Sequence, residues 1–185
     1  SWKSSQIEGN TYSLLETERL IKDKETASGK TRDEATMLLN HKSALDFIVS
    51  QPEYVNPLTI SSIEDIHSLL IKDLNISRNI RNRRVGISGT NYRPLDNEFQ
   101  IREALNDMCE LINSKDNVFE KALLALVLIS YIQPSGCYYH YSMVNLIHML
   151  ALNGWDCGSG FYKKAIGDPW FHVIVYKSEH KPMDP

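Results

Sequence analysis

From Ala122 to Ile129 the chain reads Ala-Leu-Leu-Ala-Leu-Val-Leu-Ile, eight consecutive apolar residues, and the pattern breaks four residues later at Gln133-Pro134. A helix that is apolar on all sides belongs in the centre of a domain or in a membrane. Eight residues fall well short of the roughly 20 that cross a bilayer, so the run predicts a core helix. Asn117-x-x-Glu120 resembles a capping box at its start. Pro134 stops it, and Ser135-Gly136 suits a tight turn that exposes backbone. The chemistry of the fold is expected at that break. Beyond it a second helix restarts near Ser142, with Met143, Leu146, Ile147 and Leu150 on one face.

With 185 residues, 42% of them hydrophobic, there is apolar mass for a core of ordinary size. A net charge of −3 leaves no nucleic-acid footprint, and the run Arg81, Arg83, Arg84 is too short to make one. Cys109, Cys137 and Cys157 are an odd number without zinc-like spacing, as expected of reduced thiols in a cytoplasm. Cys137-x-x-His140 with His148 lacks a fourth ligand, so no metal site is assigned. No signal peptide or membrane span is legible, and the chain begins at Ser1 without a methionine, as a fragment or processed chain would.

In chain order, Ser4 and Glu8 lie four apart on one face of a short helix that Gly9-Asn10 ends. On spacing alone this is a solvated helix with an exposed carboxylate. Ser13-x-x-Glu16 caps an amphipathic helix carrying Leu14, Leu15, Leu20 and Ile21. Thr31-x-x-Glu34 caps the next, with Ala35, Leu38, Leu45 and Ile48 at helical spacing and an end before Pro52. Ser62-x-x-Asp65 opens another, striped by Ile63, Ile66, Leu70 and Leu74, with His67 read as a packed histidine. From Arg81 to Pro94 an alternating Val85, Ile87 pair and a Ser88-Gly89 turn signal suit a small β-hairpin or a plain surface loop. As a hairpin it would offer an edge to which an extended peptide adds as a strand. Asp96 or Asn97 then caps a helix whose Ile101, Leu105, Met108 and Ile112 share one face. The fold class is therefore all-α, a helical bundle with one small hairpin.

Three separated pieces combine into a resemblance to the Fic (filamentation induced by cAMP) family. Ser4-x-x-x-Glu8-Gly9 resembles its inhibitory helix motif. Val85-Gly86-Ile87-Ser88-Gly89-Thr90-x-Tyr92-x-Pro94 resembles its target-docking flap, and Ala122 to Pro134 resembles the helix leading into its active-site loop. Order and spacing agree over residues 1 to 134. The resemblance implies transfer of AMP from ATP, with Mg²⁺, to a hydroxyl side chain of a target protein that docks on the flap. It implies autoinhibition through Glu8, and it leaves self-association open.

The family signature is His-Pro-Phe-x-(Asp/Glu)-Gly-Asn-(Gly/Lys)-Arg-x-x-Arg. Its histidine is the general base, its acid holds Mg²⁺, its Gly-Asn-Gly backbone cradles phosphates at a helix N-terminus, and its arginines neutralise nucleotide charge. Aligned on Pro134, this chain has Gln133 for the histidine, Ser135 for the phenylalanine, Cys137 for the acid, Tyr138-Tyr139-His140 for Gly-Asn-Gly, and Tyr141 and Val144 for the arginines. Gln cannot take a proton near neutral pH. Gly136 and Ser135 remain for weak nucleotide binding, His140 is the titratable substitute for the base, and Arg93 or Arg102 would have to partner Glu8. No ligand set for Mg²⁺ is found. Three regions follow: 1–25 with the inhibitory motif, 26–153 as the helical core with the flap at 81–94, and 154–185 as a divergent tail. In the tail, Trp170 to Tyr176 reads as a strand.

Overall fold

The structure, a computed structural model, describes residues 2–7, 9–82, 84–85 and 91–135. Within them six α-helices follow in order: α1 (Trp2–Ile7), α2 (Leu14–Asp23), α3 (Arg32–Ser50), α4 (Ile60–Leu70), α5 (Glu98–Asn113) and α6 (Val118–Ile132). A 3₁₀ turn at Pro52–Val55 links α3 to α4. No strand occurs among the described residues. None of the described helices is long and apolar enough to cross a membrane.

Local chemistry sets most helix starts. The Ser13/Glu16 and Thr31/Glu34 pairs form reciprocal capping boxes as the sequence predicts. Asn97 caps α5, and Asn117 caps α6 by accepting from the amides of Phe119 and Glu120. For α4 the predicted start is corrected. Thr59 is the cap and Ser62 its reciprocal partner at the third helical position, so the helix begins before the expected Ser62. The Ser62 hydroxyl satisfies the same local amide as the expected Glu or Gln would, which hid the true start.

Two apolar clusters form, and α3 runs through both. Its first half gives Ala35 and Leu38 to a small cluster with Tyr12 and Leu20. Its second half gives Ala44 and Ile48 to the main core with Ile63, Ile66 and Leu70 of α4, Ile101, Leu105, Met108 and Ile112 of α5, and Ala125, Leu126, Ile129 and Ile132 of α6. Leu14 and Leu15 do not join the small cluster as their amphipathic reading predicts. Both are more than half exposed, because α2 turns Thr17 and Leu20 inward. The expectation that α6 is enclosed on all sides is also corrected among the described residues. Ala122, Ala125, Leu126, Ile129 and Ile132 are buried, while Phe119, Leu123, Val127 and Tyr131 face outward.

Side-chain amides fasten segments distant in sequence. Asn40, buried in α3, donates to the carbonyls of Leu70 and Lys72 at the end of α4, 3.1 and 2.6 Å away. Asn113 donates to the Leu58 carbonyl at 2.8 Å and accepts from the Leu58 amide at 2.9 Å. Such bonds relieve helix-end carbonyls and loop amides that have no partner within their own element.

Candidate functional site

Two regions of the chain bear on the candidate site, the N-terminal segment and the end of α6. In the first, α1 closes with a Schellman arrangement: the Asn10 amide donates to the Ser5 carbonyl at 3.0 Å and the Gly9 amide to the Gln6 carbonyl at 3.1 Å. Gly9 has φ +86°, a left-handed conformation that only glycine adopts without cost. The predicted stop at Gly9-Asn10 is therefore present in full. Ser4 lies within α1, and Glu8 lies outside the described residues.

The segment is then latched to α3. Asn10 donates to the Glu34 carbonyl at 2.8 Å, and the amide and hydroxyl of Thr11 both donate to the Glu34 carboxylate. The other carboxylate oxygen accepts from the amide and hydroxyl of Thr31. The Thr11 hydroxyl, then the Thr31 and Thr11 amides, hold the Glu34 carboxyl down from 4.5 to about 2. A carboxyl lowered on folding stabilises above its ordinary value and loses that contribution as pH falls through the folded one. Melting temperature followed between pH 5 and 2 should therefore fall in the parent and fall less steeply in Glu34→Gln. At neutral pH that variant should cost about 1 kcal/mol, the worth of a helix cap, because water screens the carboxylate.

At the other end, α6 stops at Gln133, whose φ of +50° puts it in the left-handed region. A non-glycine residue there costs roughly 1–2 kcal/mol, and residues so strained cluster at functional sites. Gln133 is 1% exposed, and among the described residues neither atom of its side-chain amide has a hydrogen-bond partner. Ser135 is also buried, and its hydroxyl likewise has no partner among the described residues. The residues expected at the position of the base and just beyond it are thus inside the protein and polar.

Four successive carbonyls at this helix end are bound by residues that flank the predicted flap. The Arg81 guanidinium donates from Nε to the Gln133 carbonyl at 2.6 Å and from Nη2 to the Ile132 carbonyl at 3.3 Å. The Arg81 amide donates to the Pro134 carbonyl at 2.9 Å. The Tyr92 hydroxyl donates to the Tyr131 carbonyl at 2.9 Å, and the two tyrosine rings stack with centroids 4.5 Å apart. Burial lowers the Arg81 guanidinium from its ordinary range, while burial and then the contact with Tyr131 raise the Tyr92 phenol. A cation at a helix C-terminus meets both the orphan carbonyls and the negative end of the dipole. Arg84 and Asp96 add an exposed ion pair of 2.9 Å across the same base.

Arg81 and Tyr92, on either side of the segment expected as the flap, are therefore both anchored on the end of α6. Arg81, Asn82, Arg84, Val85 and Asn91 to Asn97 run without regular structure, whereas Gly86, Ile87, Ser88, Gly89 and Thr90 lie outside the described residues. On the sequence Arg81 belonged to a short basic run and Tyr92 to the flap motif, and neither reading tied them to α6. Only the distance between them and α6 along the chain hid the connection.

Beside the break, Pro134 and Ser135 border a small open cleft with Ile63, Glu64, His67, Ile80 and Leu105. His67 is buried, as predicted for a packed histidine, and burial holds its imidazole below its ordinary value. Arg102 is held by Glu64 at 3.2 Å and Glu98 at 4.0 Å, which commits the guanidinium considered as a partner for Glu8. Gly136 and His140 lie outside the described residues, as do the restarted helix and the tail.

Among the described residues the architecture is all-helical, with a half-buried central helix that ends in a strained Gln-Pro break gripped by the roots of a loop. That fold is the Fic-domain fold. The structure is similar to a Fic family protein from Desulfovibrio desulfuricans, with TM-score 0.70 and 18% identity over 84% of this chain and 47% of that one. It is also similar to a Fic domain containing signaling protein from Bacteroides thetaiotaomicron, with TM-score 0.72 and 16% identity over 89% of this chain and 68% of that one. Fic-1 from C. elegans matches with TM-score 0.64 and 18% identity over 95% of this chain and 58% of that one. This chain thus spans roughly half to two thirds of their lengths. The sequence matches no protein-family model and no curated protein.

Proposed function

We propose that this chain is a Fic-family protein of the adenylyl-transferring kind, moving AMP from Mg²⁺-bound ATP to a hydroxyl of a target protein, with turnover weakened by its altered signature. The observation that carries the reading is the junction at the end of α6, where the Gln133-Pro134 break and both roots of the flap meet. A target segment held by the flap would be delivered to that break, which is what transfer to a protein side chain requires. Glu8 is the inhibitory residue in this reading, carried by a segment latched to α3 through Glu34.

A second reading, a non-catalytic module that grips a protein or nucleotide, is favoured by one observation. Gln133 stands at the position of the base and cannot accept a proton at neutral pH. Incubation with Mg²⁺ and ATP labelled on its α-phosphate separates the two. The enzyme reading expects weak incorporation into protein, raised several-fold by Glu8→Gly and abolished with label on the γ-phosphate. Incorporation from neither the parent nor Glu8→Gly, against both a lysate and the chain itself, would leave only the binding module.

A further inference from the structure

Gln133 takes a backbone conformation that its own sequence opposes. Its φ of +50° is left-handed, a region that side chains larger than glycine enter at a cost. Pro134 follows it, and the residue before a proline is pushed instead to extended backbone at negative φ. Lys24 and Asp73 are the other non-glycine residues with positive φ among the described ones, but both are exposed and neither precedes a proline. Local preference therefore does not account for Gln133, and surrounding structure has to hold it.

The contacts placed to do so come from Arg81, 4% exposed. Its Nη2 donates to the Ile132 carbonyl at 3.3 Å and its Nε to the Gln133 carbonyl at 2.6 Å. Its amide donates to the Pro134 carbonyl at 2.9 Å. The first two carbonyls belong to the peptide planes on either side of Gln133. The only soft torsions between those planes are the φ and ψ of Gln133 itself. A guanidinium is a rigid planar fork, so bonding both carbonyls fixes one plane against the other. Swinging Gln133 to extended backbone would turn one carbonyl away from the fork. The same two torsions set the direction in which the side chain of residue 133 leaves the backbone.

We propose that Arg81 is the positioning residue of the break: its fork holds residue 133 left-handed and so aims whatever side chain stands there. The bearing on catalysis rests on the function proposed above, in which position 133 is that of the base. Nuclear magnetic resonance of the full chain tests the geometry without nucleotide or target. A left-handed φ turns a residue's Hα toward its own amide proton, so residue 133 of the parent should give a strong intraresidue cross-peak. In Arg81→Lys, whose ammonium lacks the fork, that peak should weaken about twofold or more against those of Lys24 and Asp73. In Arg81→Met it should fall to the level of ordinary residues; where that variant does not fold, Arg81→Lys decides. Stability gives a second readout. Asparagine tolerates left-handed backbone, so Gln133→Asn should shift the urea midpoint more favourably in the parent than in Arg81→Lys, the lost methylene cancelling in the comparison. A parent without the strong peak, a peak unchanged in a folded Arg81 variant, or an equal effect of Gln133→Asn in both backgrounds would overturn the proposal. Neither readout uses turnover, so failure to transfer AMP counts against the proposed function alone.

Discussion

Replacing Arg81 with methionine is expected to destabilise the protein by about 3 kcal/mol, read as a fall in the urea midpoint at unchanged slope. The change keeps the apolar stem but removes the donors to the Gln133 and Ile132 carbonyls. Each buried acceptor left unpaired costs roughly 1–3 kcal/mol, and loss of the charge at the helix end adds some tenths. The backbone bond from the Arg81 amide to Pro134 survives, which keeps the loss below that of deleting the whole contact. Arg81→Lys should recover less than half, since an ammonium lacks the fork that reaches two carbonyls at once. Equal stability of parent and methionine variant would mean that these carbonyls are satisfied some other way.

The second large effect lies one turn back along the same helix. Ile129 is fully buried in the main core with Leu105, Met108, Leu126 and Ile132. Ile129→Ala removes three carbons at the α5–α6 interface and is expected to cost about 3 kcal/mol, since core isoleucines cut to alanine lose transfer energy and leave a cavity. Set against a total of about 5–15 kcal/mol for a domain, either change takes a large share. Equilibrium unfolding in urea measures both. A loss below about 1 kcal/mol for Ile129→Ala would show that the interface collapses around the gap.

How much could be read without coordinates follows from the range of each interaction. The Ser13 and Thr31 caps, the Gly9 stop and the α5 stripe are local, set by residues three to five apart, and they stand as predicted. The overall Fic-like helical fold was legible through motif order. Arg81 was not, because its partners lie 51 and 52 residues away and nothing near it marks a buried guanidinium. Composition likewise could not say which side of α6 meets other helices, nor that Leu14 and Leu15 point outward. The break at Gln133-Pro134 was visible as punctuation, but its burial depends on what packs around it.

The path of α3 through both apolar clusters has a consequence for cooperativity. The small cluster of Tyr12, Leu20, Ala35 and Leu38 shares a helix with the main core but none of the residues assigned to that core. The N-terminal unit is therefore expected to open before the rest, with the contact of Asn10 to Met37 of the main core as its tie, while the second half of α3 stays clamped between α4 and the core. Under the autoinhibition proposed for Glu8, release would then need only a local excursion of that unit, with the main core still folded.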